Sequence, residues 1–461
     1  MKIYGFFFFS WVYFFIPQQL IAQVENKNID FVYVDHIRSV AFHPNGLVTS
    51  MPVMNLGAQA QLLLSFDDLD ADDKEYIYKI VHCNYDWTPS EMQEMDFLRG
   101  FNGEEIETYD YSSNTLREYT HYELALPNED INWLLSGNYL VHVYDNEDEE
   151  KIVLTRRFMI VDTKMSIEHN FQTPAISNKY NTHQEIDFSI RHEGIKIKNP
   201  RSDIKVYVMQ NGRWDGALKD LKPFFVKNEV LSYDYQDEII FPAGKEFRFF
   251  DLRTLRYRGS FVKELTTDSD GYNALLYPDE SRTFKNYSSF NDINGKFVIQ
   301  NIDGLSSNFN ANDLANKIGT NQGQTGDLQQ AIANNNQILQ DLMSSNLSLD
   351  DRNHTLEGDY VDVYFVLEKP LPLENASVYV IGGFTDWQAK AAYKLEYNAE
   401  RNAYYTHALL KQGFYNYVYG VLPDGGKQLD IEQLEGNWYE TENEYTILVY
   451  YRPFGSRYDQ L

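Results

Sequence analysis

Short apolar runs with a period of two, each ended by turn-forming residues, recur along most of the chain. Alternation points every second side chain to the same side, which is the geometry of a half-buried β-strand. Such runs, about five to seven residues long and broken by Asp, Asn, Gly and Pro, are typical of β-sandwiches. Aromatic residues make up 15% of the chain, which also favours strands over helical bundles. The predicted strands cover residues 61–66, 75–81, 121–126, 138–144, 155–160, 184–190, 204–209, 296–300, 360–367, 377–381, 415–421 and 445–451.

The length of 461 residues suggests about three domains. We therefore predict an all-β fold of tandem immunoglobulin-like, early-set β-sandwich modules with one long polar insertion. The predicted limits are 23–162 for an N-terminal sandwich, 163–302 for a second β module, 303–355 for an Asn/Gln-rich flexible insertion, and 356–461 for a C-terminal early-set immunoglobulin-like module.

The insertion differs in composition from the rest of the chain. It is rich in Asn, Gln, Ser and Gly, and Phe309 is its only aromatic residue between 304 and 354. Leu328, Ile332, Leu339 and Leu342 recur at spacings compatible with one weak helical face. Two interpretations stay open, a flexible loop between modules or a segment that folds against a partner.

The first 22 residues are predicted to be a secretory signal peptide. Lys2 supplies a positive charge, residues 3–16 are almost entirely apolar, and Pro17 ends that run. The run is too short to span a bilayer comfortably but matches the apolar region of a signal peptide. We expect cleavage near Ala22 and export of the mature chain.

Charge and cysteine content narrow the classes of partner. The formal net charge of −28 has the wrong sign for nucleic-acid binding driven by phosphate neutralisation, so we expect no nucleic-acid partner. Cys83 is the only cysteine, so the modules are held together without an intramolecular disulfide. No run after residue 22 reaches 18 consecutive apolar residues, and we expect no direct membrane span.

No catalytic, cofactor or metal site is predicted. The ten histidines lack the spacing of a zinc motif, and the chain has no nucleophile elbow, phosphate-binding loop or dinucleotide fingerprint. The acidic run at 67–73 departs from the calcium loop, because Asp73 stands where that loop needs glycine and Lys79 where it needs glutamate. Carboxylates are too numerous to single out a glycosidase pair. We predict that the protein is not an enzyme.

One short motif points to the third module. The sequence GGFTDW at 382–387 follows a predicted strand, and it resembles the Gly-x-Phe-x-x-Trp signature of early-set immunoglobulin-like modules, which include glycogen-binding domains. An exposed Trp387 could stack on a sugar face. The alternative function is therefore an exported glycan-binding β-sandwich protein of the outer membrane, although packing of Trp387 inside its own module is the simpler interpretation.

Several longer strings together are more specific than this motif. In chain order they resemble the plug protein family of the type IX secretion system, from about residue 31 to residue 461, apart from the insertion. The strings are LSFDDL (64–69), HCNYDW (82–87), LPNED (126–130), SGNY (136–139), LTRRF (154–158), THQE (182–185), QNGRWD (210–215), FPAG (241–244), EFR (246–248), YETEN (439–443) and YYRPFG (450–455).

The resemblance implies a non-enzymatic protein of the periplasm, at the inner face of the outer membrane. Its partner would be a giant outer-membrane β-barrel translocon, whose pore it would seal when no export takes place. The resemblance brings no catalytic or cofactor residue. Trp87, Trp214 and Trp387 all lie in turn-like strings and are candidate partner contacts, although packing in the core or at a module edge is the simpler interpretation for each of them.

Overall fold

The computed structural model describes residues 27–146, 148–303 and 355–461. The predicted signal peptide and, apart from its two end residues, the predicted insertion lie outside the described residues. The described part is nearly all β, built of several antiparallel sheets, which confirms the predicted all-β sandwich class. No helix in these ranges has the length and apolar character needed to cross a membrane.

The first sandwich contains two sheets that face each other across an apolar core. One sheet has the order β1-β12-β11-β5-β7 with β3 beside β12, and the other has the order β2-β4-β9-β8. Leu62, Leu64 and Phe66, at alternate positions of one strand, are fully buried, as the period of two predicts. The elements are β1 (Phe31–Val32), β2 (Ile37–Pro44), β3 (Val53–Asn55), β4 (Leu62–Asp68), β5 (Tyr76–Cys83), α1 (Glu94–Phe97), β6 (Leu98–Gly100), β7 (Glu104–Glu105), β8 (Thr108–Tyr111), β9 (Thr120–Leu126), β10 (Ile131–Trp133), β11 (Gly137–Asp145) and β12 (Asp148–Val161).

The second sandwich pairs a sheet of order β13-β14-β18-β17, with β19 beside β14, against a three-stranded sheet of order β16-β15-β30, in which β30 (Tyr445–Tyr451) is the last strand of the chain. Ile186, Phe188 and Ile190 from the first sheet share one core with Val206 and Val208 from the second. The elements in this part of the chain are β13 (Ser166–Gln172), β14 (His183–Arg191), α2 (Pro200–Asp203), β15 (Ile204–Gln210), β16 (Leu218–Lys219), β17 (Phe225–Lys227), β18 (Val230–Tyr233) and β19 (Ile240–Pro242).

The third module is a ten-stranded sheet of order β20-β29-β26-β27-β28-β25-β22-β21, with β23 beside β25 and β24 beside β29. Strands from both halves of this order, including β22 and β29, contribute to one apolar core, so the sheet folds over itself. The elements are β20 (Arg248–Asp251), β21 (Val262–Thr267), β22 (Tyr272–Leu276), β23 (Asp279–Glu280), β24 (Phe297–Ile299), β25 (Tyr360–Glu368), β26 (Ala376–Ile381), β27 (Lys394–Asn398), β28 (Ala403–Lys411), β29 (Gly413–Pro423), α3 (Glu432–Glu435) and, last in the chain, β30 (Tyr445–Tyr451).

All twelve predicted strands overlap observed ones, but two sets of strands leave the module in which their sequence position would place them. Strands β20 to β24, before the insertion, belong to the sheet of the third module, whereas β30, after it, pairs along its length with β15 of the second sandwich. The consecutive modules of the sequence analysis do not predict this exchange. The second and third modules are therefore each completed by strands from the other side of the insertion.

The first and second sandwiches meet through an apolar interface. Cys83, Leu140 and Met159 of the first pack against Met209 and Tyr450 of the second. These residues sit on the outer faces of β5, β11, β12, β15 and β30, opposite the inward residues of the same strands. Burial raises the pKa of the Cys83 thiol to about 12, so this cysteine acts as a small apolar side chain.

Candidate functional site

The three tryptophans chosen from the sequence come together where the two sandwiches and the third module meet. The rings of Trp87 and Trp214 are 5.0 Å apart and nearly perpendicular. The guanidinium of Arg157 lies 4.7 Å from the Trp87 ring and 5.2 Å from the Trp214 ring. Arg157 also donates hydrogen bonds to the carbonyl of Asn28, at 2.7 and 3.0 Å. The two indoles therefore hold one cation between the sandwiches.

Trp87 does not offer a surface to a partner in this structure. Its side chain is 3% exposed, because the turn after β5, with Trp87 at φ 67°, folds the indole back into the interface. Trp214 and Trp387 are half-buried, and partner contact by any of the three tryptophans stays a prediction.

Trp387 lies at the end of the GGFTDW motif, which forms a single 3₁₀ turn, Gly383–Thr385, after β26. The Arg213 guanidinium lies 4.4 Å from the centre of its ring. A side chain at Gly295 would come within 2.3 Å of the indole, so glycine is needed there for the ring to pack. Arg213 thus covers one face of a half-buried indole, which gives the glycan-binding alternative little support.

Charged groups complete this junction. Asp386 lies 3.4 Å from the Arg156 guanidinium and 2.7 Å from the Lys390 ammonium. Burial alone would raise the pKa of Asp386, but the two cations outweigh it and lower that pKa. A cavity of about 500 Å³ remains between the modules and is lined by Arg156, Trp214 and Trp387, among others.

A second cluster of buried charges joins the first sandwich to the third module. Asp67 of β4 lies 2.7 Å from the Lys411 ammonium of β28, and both side chains are fully buried. His121 Nδ1 lies 2.5 Å from Asp67, and the Tyr360 hydroxyl donates to the same carboxylate at 2.7 Å. The Lys411 ammonium also sits 3.9 Å from the centre of the Tyr119 ring. We call these five residues the buried ion cluster.

The pKa shifts of Asp67 and His121 favour the charged form of each group. Burial favours neutral Asp67, but Lys411 and His121 outweigh it and lower the pKa of the carboxyl. Burial likewise disfavours protonated His121, yet its contacts with Asp67 and Glu123 raise the pKa of the imidazole. Burial lowers the pKa of Lys411, and Asp67 offsets part of that effect. Carboxylate, ammonium and imidazolium therefore stabilise each other out of water.

The acidic turn after β4 is occupied by a lysine. His36, Asp68 and Asp70 place ligand atoms close enough for a metal ion. However, the Lys74 ammonium lies 3.0 Å from Asp68 and 3.3 Å from Asp72, and it also pairs with Asp70. The Lys74 ammonium places a positive charge next to these carboxylates, which accounts for the run of aspartates without invoking a metal ion.

Large apolar side chains are also exposed at several places, and these are the candidate docking surfaces. In the first sandwich, Met95 and Phe101 flank β6, which pairs with β10, and are about three-quarters exposed (77% and 75%). In the second sandwich, Phe224, Phe225 and Val226 lie at an edge strand. Interfaces are enriched in such residues at their centres. Further exposed apolar residues include Phe284, Leu371 and Phe454.

Sequence reasoning missed the charged residues that hold the modules together. Arg156 and Arg157 were seen only as part of a family string, although adjacent residues on a strand point to opposite faces. Two consecutive arginines within a buried strand therefore require anionic or aromatic partners on both sides. Asp67 gave a similar signal, because β4 continues its buried pattern through it. Nothing in the sequence identified Lys411 as its partner.

Comparison with known proteins gives a family. The family model of the type 9 secretion system plug protein 1st domain matches residues 37–162, which lie within the first sandwich. A search of curated proteins finds no match. The crystal structure of a hypothetical protein from Parabacteroides merdae is similar over 94% of this chain and 97% of its own, with 30% sequence identity and a TM-score of 0.79. The family model therefore confirms the resemblance: the chain carries, over residues 37–162, the first domain of the type IX secretion system plug protein family.

Proposed function

We propose that this protein is a non-enzymatic periplasmic plug. It binds the type IX secretion translocon, a giant outer-membrane β-barrel, from the periplasmic side and seals the pore when no substrate is being exported. The match of residues 37–162 to the plug family's first domain carries this proposal. That family is a secretion-system family and not an enzyme family.

The contacts between modules support a plug that acts as one body. The first sandwich is joined to the third module by the buried ion cluster and to the second sandwich by the apolar interface. The hydroxyl of Tyr450 also donates a hydrogen bond of 2.8 Å to Asn138 across that interface. A plug that closes a wide pore has to keep its shape while it is bound. Modules held in a fixed arrangement meet this requirement better than flexibly linked modules.

We place the main translocon contact on Met95 and Phe101. They are the most exposed large apolar side chains of the first sandwich, and they lie within the part of the chain that matches the plug family. Met95 lies in the single turn of α1 and Phe101 directly follows β6, which pairs with β10, so the backbone that carries both residues is already ordered before binding.

The test is co-purification with the translocon. The affinity tag is inserted in the exposed turn at 424–427. Leu461 is unsuitable for a fusion because its side chain is buried in the apolar interface. Recovery of a very large outer-membrane barrel in near-equal amount supports the proposal. Recovery of the protein alone, or with surface glycan-uptake proteins, contradicts it.

Two double variants locate the contact. Met95→Ser with Phe101→Ser should lower barrel recovery at least about tenfold, because two buried apolar anchors typically dominate such an interface. Phe284→Ser with Leu371→Ser removes equally exposed residues outside the matched domain and should leave recovery unchanged. Equal recovery with both pairs would place the contact elsewhere.

Sealing is tested separately in cells. Removal of the protein should raise the entry of large hydrophilic antibiotics that an intact outer membrane excludes. The same cells should return to low entry when the wild-type chain is restored. Unchanged permeability in cells that retain the translocon would contradict the sealing role while leaving the binding result intact.

A further inference from the structure

The negative charge of the chain is concentrated in one part of the first sandwich. Residues 86–130 contain twelve aspartates and glutamates but only two lysines and arginines, a net charge of −10, whereas the whole chain carries −28. The flanking stretches do not offset this charge, because residues 67–85 carry −4 and residues 131–162 carry −3. About a tenth of the chain therefore holds more than a third of its net charge.

The exposed apolar residues of the first sandwich lie in this same stretch. Met95 is in α1 and Phe101 directly follows β6. The exposed apolar residues 224–226 of the second sandwich lie by contrast in a stretch without net charge, since residues 193–238 contain eight basic and eight acidic residues. Acidic surroundings therefore distinguish Met95 and Phe101 from the other exposed apolar group.

Carboxylates approach Phe101 from the turn before β10 and from the segment around β7. The Phe101 amide donates a hydrogen bond of 3.2 Å to the Asp130 carbonyl, so this turn lies beside Phe101. Burial raises the pKa of Tyr78 in β5, and the charges of Asp130, Glu104 and Glu107 raise it further. These three carboxylates therefore converge on the Tyr78 hydroxyl from two sides.

Further carboxylates lie next to Met95. Glu94 directly precedes it in α1, and Glu91 lies one turn earlier in the chain; both side chains are exposed. Together with exposed Glu129, which is adjacent to Asp130, six exposed or half-buried carboxylates border the two apolar side chains. We call the following residues the acidic rim: Glu91, Glu94, Glu104, Glu107, Glu129 and Asp130.

Few cations oppose the acidic rim. Arg457 of the C-terminal loop pairs at 3.0 Å with Asp96, a carboxylate outside the rim. The Lys79 ammonium lies over the Tyr144 ring, 5.2 Å from its centre, and Arg99 on β6 is exposed. Within the described ranges no rim carboxylate is ion-paired. Even with Lys79 and Arg99 both counted against it, the rim keeps a net charge of −4.

We infer that Met95 and Phe101 dock in an apolar site of the translocon that is bordered by lysines and arginines, which pair with the acidic rim. The inference rests on the proposed plug function and adds the chemistry of the partner surface. Apolar anchors inside a polar border are the usual anatomy of a protein interface. Charges at such a border raise the association rate and select the partner, whereas the anchors mainly set the dissociation rate.

A basic protein surface fits the acidic rim better than the other surfaces of the cell envelope. Anionic lipid headgroups would repel its carboxylates. A neutral or acidic protein surface would bring these carboxylates into an interface without counter-charges, and burial of an unpaired charge is costly. Lysines and arginines around an apolar site complement both the anchors and the rim.

The test is the association kinetics of the purified chain with the purified translocon at increasing salt. The association rate of the wild-type chain should fall at least about tenfold between about 50 and about 500 mM salt, because screening weakens the attraction between exposed charges. The dissociation rate should change less than about threefold. An association rate that does not depend on salt would overturn the inference. This series needs no variant, so it decides the matter even if a rim variant fails to fold.

A triple variant locates the charges responsible. Glu94→Gln, Glu107→Gln and Glu129→Gln combined remove three exposed carboxylates of the rim while keeping their shape. At low salt this variant should associate about tenfold more slowly than the wild type, and its rate should depend less on salt.

A matched variant controls for the change in net charge. Glu264→Gln, Glu374→Gln and Glu400→Gln remove three exposed carboxylates of the third module, and this variant should associate at the wild-type rate. Equal slowing by both triples would overturn the inference, because the effect would then follow the charge of the whole chain and not the rim.

The anchors give a separate result. Met95→Ser with Phe101→Ser should raise the dissociation rate and leave the salt dependence of association as it is in the wild type. If the wild-type chain binds at a rate independent of salt, the inference fails and the plug function stands. If the wild-type chain does not bind the translocon at any salt concentration, the plug function fails and the inference fails with it.

Discussion

The first sandwich makes two interfaces of opposite character. Toward the second sandwich it presents Leu140 and Met159, which pack against apolar and aromatic side chains. Toward the third module it presents Asp67, which is fully buried against Lys411. Apolar burial is non-directional, so the first interface tolerates small shifts. A buried ion pair is costly unless its geometry is right, so the second interface accepts one alignment. The apolar interface therefore contributes binding energy between the modules, and the charged interface fixes their relative alignment.

The largest predicted effect breaks the charged interface. Lys411→Met leaves the Asp67 carboxylate buried without its cation, and we expect the free energy of unfolding to fall by about 3–5 kcal/mol. The shift of the urea unfolding midpoint measures this. Adding Asp67→Asn to the same chain should recover part of the loss, because the unpaired charge is gone. A single variant that costs under about 1 kcal/mol would show that the pair does not hold the interface.

The matching change in the apolar interface is Met159→Ala. It removes a buried side chain at the centre of the packing, and we expect a loss of about 2–4 kcal/mol. Met159→Leu keeps the volume and should cost less than about 1.5 kcal/mol. Unlike the charged interface, this one offers no second substitution that restores stability by removing a partner. If such a rescue were found, the contrast between the interfaces would fail.

The dependence on pH sharpens the same contrast. The raised pKa of His121 contributes stability that is fully present below the ordinary value of about 6.5 and is lost as pH rises through the pKa of the folded state. The lowered pKa of Asp67 contributes stability that is lost only in acid. The stability difference between wild type and His121→Gln should therefore shrink from pH 6 to pH 9, by about 1 kcal/mol or more.

A control without a titrating group completes this measurement. The difference between wild type and Met159→Ala should stay constant over the same pH range, because no charge changes at that site. Unfolding midpoints collected side by side at each pH would show it. Parallel pH dependence of the two variants would indicate a global effect and not the imidazolium of His121.

The smallest predicted effect concerns the junction that joins all three modules. Arg213→Ala removes the guanidinium over Trp387, and we expect a loss of about 0.5–1 kcal/mol. Arg213→Lys should lose less, since an ammonium keeps part of the attraction to the ring. A change in Trp387 fluorescence would report the local opening directly. No change in either quantity would mean that packing alone holds the indole.

The sequence predicted individual strands far better than their partners. Leu62, Leu64 and Phe66 alternate, and the period of two places them in a core wherever the strand lies. No comparable local rule says that β30 completes the sheet of β15, because their pairing depends on residues far apart in the chain. The early-set motif was sufficient to place a turn before Trp387, but not to show that Arg213 and Gly295 enclose the ring.

The interfaces were the hardest part to foresee. Lys411 ends a strand whose sequence resembles any amphipathic strand, and only the fold places its ammonium against Asp67. Trp87 illustrates the same limit, since a tryptophan in a turn-like string can face a partner or pack inside, and only the fold shows its indole buried in the interface between the sandwiches. Local sequence patterns specify which side of a strand is apolar, whereas the contacts between modules depend on how the whole chain folds.

The pairing of β15 with β30 has a consequence for how the chain matures. The hydrogen-bonded residues Gln210 and Tyr445 are 235 positions apart, so a chain delivered from its N-terminus exposes the open edge of β15 long before its partner arrives. Contacts of such separation form slowly, and an unpaired edge invites association with other chains. The second sandwich is therefore the last to become protease-resistant, and a chain stalled before β30 presents quality-control proteases and chaperones with a ready-made binding strand.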